Sequence, residues 1–142
     1  MTATTATTSD STAMHQLSER FARFMESPDP ASDVFAEDVF LDLLPPYWRF
    51  QLQGRDALAA QLKQIAQGDI RIDILRTIPT ATGFLTEHLE HQEVNGEDLT
   101  ARRVWLCDVQ DGRVTDTTCY CNGEWNDELR ARHAAEAPMM RP

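Results

Sequence analysis

The sequence predicts an α+β domain in which a cone-shaped, curved and mostly antiparallel sheet wraps around N-terminal helices and encloses a pocket. Three observations lead there. Apolar residues near the N-terminus recur at helical spacing; from residue 69 the apolar period changes from that of a helix to the alternation of strands; and 142 residues is the length of one domain. Helices followed by a run of strands form an α+β arrangement, in which a bent sheet closing over helices leaves a pocket between the layers.

The elements follow in order. The start, "MTATTATTSDSTAM", is polar and Thr-rich, and residues 1–11 are expected to be a disordered tail, with the domain over 12–135 and a flexible end over 136–142. In "SDSTAMHQLSERFARFMES", Met14, Leu17, Phe21, Phe24 and Met25 share one helical face, and Asp10 or Ser11 can cap the helix. "SPDPAS" ends it. "DVFAED" is expected as a short helix and "DVFLDLL" as a short strand stopped by Pro45 and Pro46, with "YWRFQLQ" alternating as a second strand. "GRDALAAQLKQIAQG" is a helix between glycines, with Leu58, Leu62 and Ile65 on one face. Four strands complete the chain: "DIRIDILRTIP", "TGFLTEHLEHQEV", "LTARRVWLCDV" and "VTDTTCYCN", the last two joined by the hairpin signal Asp111-Gly112. "EWNDELRARHAAEA" is expected as a terminal helix anchored by Trp125.

Composition narrows the partners. Twenty-three acidic residues against 13 basic leave a net charge of −10, contrary to the clustered Lys and Arg that nucleic acid or an anionic membrane requires. No apolar run approaches the ~18 residues of a membrane span, and the N-terminus lacks the basic start and apolar centre of a signal peptide; a cytoplasmic location is expected. Three cysteines without an export signal do not make a disulfide framework. Cys119 and Cys121, two apart in a strand, point the same way with Cβ atoms about 6.5–7 Å apart, too far for the ~3.8 Å of a disulfide. A soft metal held by Cys119 and Cys121 with Cys107 or His88 is disfavoured too, because zinc ligands come from turns with wider spacing than C-x-C in mid-strand. No metal or cofactor is expected.

The ordered set "FAEDVFLDLLP", "GRDAL" and "QDGRVTDTTCYCN" over residues 14–130 resembles the nuclear transport factor 2-like superfamily, in particular its SnoaL-like branch. That branch includes polyketide cyclases, ketosteroid isomerase and limonene epoxide hydrolase. The resemblance implies a small-molecule pocket and departs from the family where chemistry is concerned. The epoxide hydrolase's Arg-x-Asp pair falls on His88 and Glu90 in "TEHLE"; the pocket Asp of "D-Y-F-D" falls on Cys119; the pocket residues of the first strand and the isomerase's base fall on Leu41 and Leu43. Shape carries over, and the catalytic set does not.

The candidate residues then divide by face. His88 and Glu90 share one face of a strand, either lining the pocket as an acid/base pair or lying on a solvated face within the polar run "TEHLEHQE". Cys119 is a nucleophile, pocket lining or core, since a buried thiol needs a lowered pKa to react. Thr117 and Cys121 share its parity, Cys121 nearer the rim. Trp48, after the Pro45-Pro46 pair, is expected at the pocket mouth, and Trp105 in the pocket wall or core. Arg102 and Arg103 are candidates for an anionic group, one of them facing outward. A two-residue turn at Asp111-Gly112 sets Cys119 opposite Val104; a bulge in that hairpin brings it round to the Trp105 face.

Two functions remain open. One is a cofactor-independent acid/base enzyme on an apolar small molecule (an isomerase, cyclase, dehydratase or epoxide hydrolase, in secondary metabolism or catabolism). The other is a non-catalytic small-molecule-binding domain. A homodimer is expected through the outer sheet face, with Trp105, Leu106 and Tyr120 as candidates.

Overall fold

The N-terminal apolar period becomes helix α1, Thr8–Glu26, in a computed structural model that describes residues 8–65 and 69–141. The helix begins before Asp10 and Ser11, so these stand inside it rather than capping it, and residues 8–11 are helical rather than tail; the remainder of the expected tail lies outside the described residues. Then come β1 (Phe35–Leu44), β2 (Phe50–Gln53), α2 (Arg55–Ile65), β3 (Ile70–Pro79), β4 (Gly83–Val94), β5 (Glu97–Gln110), β6 (Arg113–Trp125) and α3 (Asp127–Glu136). The six strands form one sheet in the order β2-β1-β6-β5-β4-β3. All neighbours are antiparallel except β1 and β6, which run parallel. This is the expected α+β architecture, with helices packed on a mostly antiparallel curved sheet.

"DVFAED" is strand, not helix. Phe35 and Val39 are both buried four residues apart, which imitates a helical face. The cause is a bulge: β1 advances from Phe35 to Phe40 while β6 advances only from Val114 to Asp116, so the extra residues are looped out of the pairing and the buried side chains fall at helical spacing. The second strand is also shorter than "YWRFQLQ", because Pro45–Trp48 form a turn closed by Trp48 N donating to Pro45 O at 3.2 Å. Tyr47 sits at φ +62° in that turn.

The core lies between α1 and the concave sheet face. Phe21 is its centre, with ring centroids 5.4 Å from Phe35, 6.0 Å from Phe84, 6.0 Å from His88 and 5.2 Å from Trp105. Burying a side chain of this size contributes roughly 1.5–3 kcal/mol. One polar cluster enters the same layer: the Ser18 hydroxyl is 2.7 Å from Thr77 Oγ1 and donates to Thr86 Oγ1 at 3.1 Å, pinning α1 to β3 and β4.

The β5–β6 hairpin decides what faces inward. Asp111 and Gly112 both have positive φ, +53° and +74°, as a two-residue hairpin turn requires. Val109 pairs with Val114, but Asp108 then pairs with Asp116, leaving Thr115 as a bulge. From Asp116 to Cys121 the pairing is shifted by one, so Cys119 stands opposite Trp105 rather than Val104, and a second irregularity follows between Arg103 and Ala101.

Candidate functional site

With that register, one face of four strands collects most of the candidates. Trp105 pairs with Thr86 on β4 and Cys119 on β6; Arg103 pairs with His88 and Cys121; Leu43 of β1 pairs with Cys119 and Leu41 with Thr117. Arg102 takes the other parity, points outward and, with Arg76, clamps Glu87, each guanidinium Nε donating at 3.0 Å. The hydrogen bond from Arg102 holds the Glu87 carboxyl below the usual carboxylate range.

Where this face meets α2 and the β1–β2 hairpin, a cavity of about 350 Å³ opens. Leu43, Leu44, Pro45, Pro46, Phe50 and Leu52 form one wall, Leu58, Gln61 and Leu62 of α2 a second, and Arg103, Trp105, Cys119, Cys121, Gly123 and Glu124 the third. Arg103 is the charged group of the inner wall. Its Nη1 donates to Glu90 Oε2 at 2.7 Å and its Nε to Cys121 Sγ at 3.4 Å, while Gly123 N donates to the same sulfur at 3.3 Å. Both members of the pair are largely buried, with 18% and 10% of the Arg103 and Glu90 side chains exposed. Burial pushes the Glu90 carboxyl above its usual range; Arg103 opposes that shift and Glu124 adds to it. Such a carboxyl can carry a proton at a pH where an exposed one would have lost it.

The remaining candidates divide between the cavity and its surroundings. His88 is buried against Phe21, outside the residues that line the cavity, and its Nε2 has no hydrogen-bond partner. Burial, then the positive charges of Arg103 and Arg23, bring its pKa down to about 4, so the ring is neutral near pH 7. Glu90 is bonded to Arg103 rather than to His88. Cys119 lines the cavity as a free thiol, and burial pushes its pKa up, away from a thiolate. Leu41 and Thr117 are buried beyond the cavity wall, the Thr117 hydroxyl 3.2 Å from Cys107 Sγ. Trp48 is 71% exposed on its turn and takes no part in the lining, contrary to its expected place at the mouth. Trp105 is buried on the concave face, which removes it from the outer surface while Leu106 and Tyr120 remain there. Among the described residues no three His, Cys, Asp or Glu side chains gather closely enough to hold a metal ion.

No family model matches the chain, and no curated protein matches it. Solved structures do. A nuclear transport factor 2-like protein of unknown function from Mesorhizobium loti is 22% identical, with 80% of this chain and 93% of that one aligned at a TM-score of 0.59. A Catenulispora acidiphila protein of ketosteroid isomerase-like fold, solved with trimethylamine, is 12% identical, with 75% and 85% coverage and a TM-score of 0.63. The chain has the nuclear transport factor 2-like fold. A limonene epoxide hydrolase-like epoxide hydrolase of M. tuberculosis shares this fold at 17% identity, with 77% and 78% coverage and a TM-score of 0.62. At such identities the nuclear transport factor 2-like scaffold is what is shared, and chemistry must be argued from this chain's own side chains.

The residues missed from the sequence are those of the α2 wall, the β1–β2 wall beyond Leu43, and Gly123 and Glu124. Leu58 and Leu62 were visible only as an apolar helical face, a signal that does not separate a cavity from a core.

Proposed function

We propose that the cavity takes an apolar small molecule and that Glu90 exchanges a proton with it without a cofactor, as in an isomerisation, cyclisation, dehydration or epoxide opening. The observation that carries this is the buried ion pair by which Arg103, in the mostly apolar cavity wall, holds Glu90 directly behind that wall. Arg103 orients the carboxyl, burial raises its proton affinity, and the apolar wall excludes water from the ligand. His88, two residues along β4, is buried and neutral behind the wall, and Cys119 is part of its lining. Turnover of a panel of apolar ketones and epoxides tests the proposal. Glu90→Gln is expected to lower kcat by about 10²–10⁴, the usual range for a lost general acid or base, with Cys119→Ala within a few-fold of wild type. An unchanged kcat in Glu90→Gln would overturn the assignment.

A second reading, a binding domain without chemistry, is favoured by the engagement of Glu90 with Arg103 and by the absence of both His88 and Glu90 from the cavity lining. Saturable binding of a ligand that is never turned over supports it.

We also propose a homodimer through the convex sheet face. Ile78, Leu85 and Leu106 stand directly opposite one another across β3, β4 and β5. Ile78, Leu106 and Tyr120 are 45%, 45% and 54% exposed, an apolar row that a second copy can cover. A monomer mass by light scattering at micromolar concentration would refute this.

A further inference from the structure

We propose that the cavity selects an apolar molecule bearing one carboxylate, seated on Arg103, and that a proton enters with it to neutralise Glu90. This rests on the cavity being the small-molecule site and adds the class of ligand.

The charged residues lining the cavity are Arg103 and Glu124. Glu124 is exposed, whereas Arg103 belongs to the inner wall and is mostly buried. Among the described residues Arg103 donates through Nε to Cys121 and through Nη1 to Glu90, and Nη2 makes no hydrogen bond. A wholly apolar ligand would strip water from Nη2 and leave it unpaired, at the cost of an unsatisfied charged donor. A carboxylate supplies the missing acceptor, and the planar fork of a guanidinium suits carboxylate oxygens in geometry as well as charge. The rest of the lining, Leu43, Phe50, Leu52, Leu58, Leu62 and Trp105, suits a hydrocarbon body.

Filling the site in this way places two carboxylates on one guanidinium in an apolar wall. Two carboxylates sharing a site do not both stay ionised. The groups around Glu90 leave one place for the proton. Arg103 of β5 is shared by both carboxylates, and Glu124 of β6 adds negative charge. His88, two residues along β4, is held neutral by burial. Cys119 and Cys121 of β6 flank Arg103, the former kept as a thiol. On α1, Arg23 is paired with Glu26 at 2.7 Å, and both bond the backbone of Ile72, the β3 partner of Glu90. Glu90 is therefore the group that accepts the proton, and in the occupied site it is a carboxylic acid able to donate.

Isothermal titration calorimetry of the wild-type chain with octanoate and with octanol, in buffers of different ionisation heat, tests this. Octanoate is expected to bind about tenfold or more tightly than octanol near pH 6.5, with about one proton taken up per octanoate. Because protons are taken up, its affinity must fall as pH rises from about 6 to about 8, approaching tenfold per unit. Glu90→Gln should bind octanoate with no proton uptake and a flat pH profile, and Arg103→Met should lose the preference for octanoate. Should Arg103→Met fail to fold, the wild-type proton count decides. Octanol binding as tightly as octanoate, or octanoate binding without proton uptake, overturns the inference and leaves the apolar-ligand cavity standing. Binding of neither probe overturns both.

Discussion

Cys119 and Cys121 share a face of β6 and both line the cavity, yet their surroundings differ. Cys119 is buried and its thiol is pushed above its ordinary pKa; Cys107 behaves alike, pushed up to about 12 by burial. Cys121 is half-buried, and its sulfur accepts from Arg103 and Gly123. Iodoacetamide at pH 8 is therefore expected to alkylate Cys121 first in the native protein, with Cys107 and Cys119 reacting only on denaturation, as read by peptide mass spectrometry. Rapid native labelling of Cys119 would contradict its burial. His88 gives a pH prediction. Its folded pKa of about 4 lies below the ordinary imidazole value of 6.5, so between these values the unfolded chain binds the proton and the folded chain does not. Stability is then full above about pH 6.5 and falls as pH drops toward 4, by at most about 1.4 kcal/mol per unit from this group. An NMR titration should find the His88 ring neutral at pH 5.5, and urea unfolding of His88→Gln should lose this part of the acid sensitivity. A midpoint near 6.5 would rule out the buried neutral ring.

Elements depend on two kinds of local control. Close approach is one: a Cβ at Gly83 would lie 2.0 Å from the Cys107 carbonyl oxygen across the β4–β5 pair. Gly83→Ala must displace backbone, and it is expected to destabilise the protein by at least about 1–3 kcal/mol in urea unfolding; wild-type stability would contradict the register. Tethering is the other. α3 buries no residue. It is capped by Asn126, sets His133 against Trp125 with centroids 5.0 Å apart and the rings tilted by 58°, and is tied by Arg130, which donates to the carbonyls of Trp125 and Asp98 and to Thr100 Oγ1. Arg130→Ala should accelerate amide exchange across 127–136 while leaving β4–β6 protected. Uniform exchange in all elements would show α3 to be part of the cooperative core. Much of this level was legible in the residues: α1, α2, the Asp111-Gly112 hairpin and α3 follow from period and turn chemistry. "DVFAED" was not, because a bulge copied the helical spacing of buried residues, and Trp48 was not, because the Pro45–Trp48 turn rotates it out of line with β2.

At the scale of the whole molecule, the layer arrangement follows from the switch of apolar period at residue 69, since helices and a long strand meander have few ways to bury one face each. Local patterning by itself determined most elements of this chain, the start of β1 excepted, the shared face of His88 and Glu90 and that of Cys119 and Cys121, and the opposite facing of Arg102 and Arg103. Tertiary structure decided which faces meet. A single extra residue, Thr115, turns Cys119 toward Trp105, and the inward phase of β6 passes from Val114 to Thr117 and Cys119, a change that regular alternation read along the strand does not anticipate. Partnership was decided there as well: Glu90 and Arg103 lie 13 residues apart on different strands, and their pairing depends on strand register and on the burial that favours a charged partner. The cavity is the last such feature. It opens between α2, the β1–β2 end of the sheet and the inner face of β5 and β6, and a gap between elements is a property of their spacing, to which no single residue's pattern corresponds.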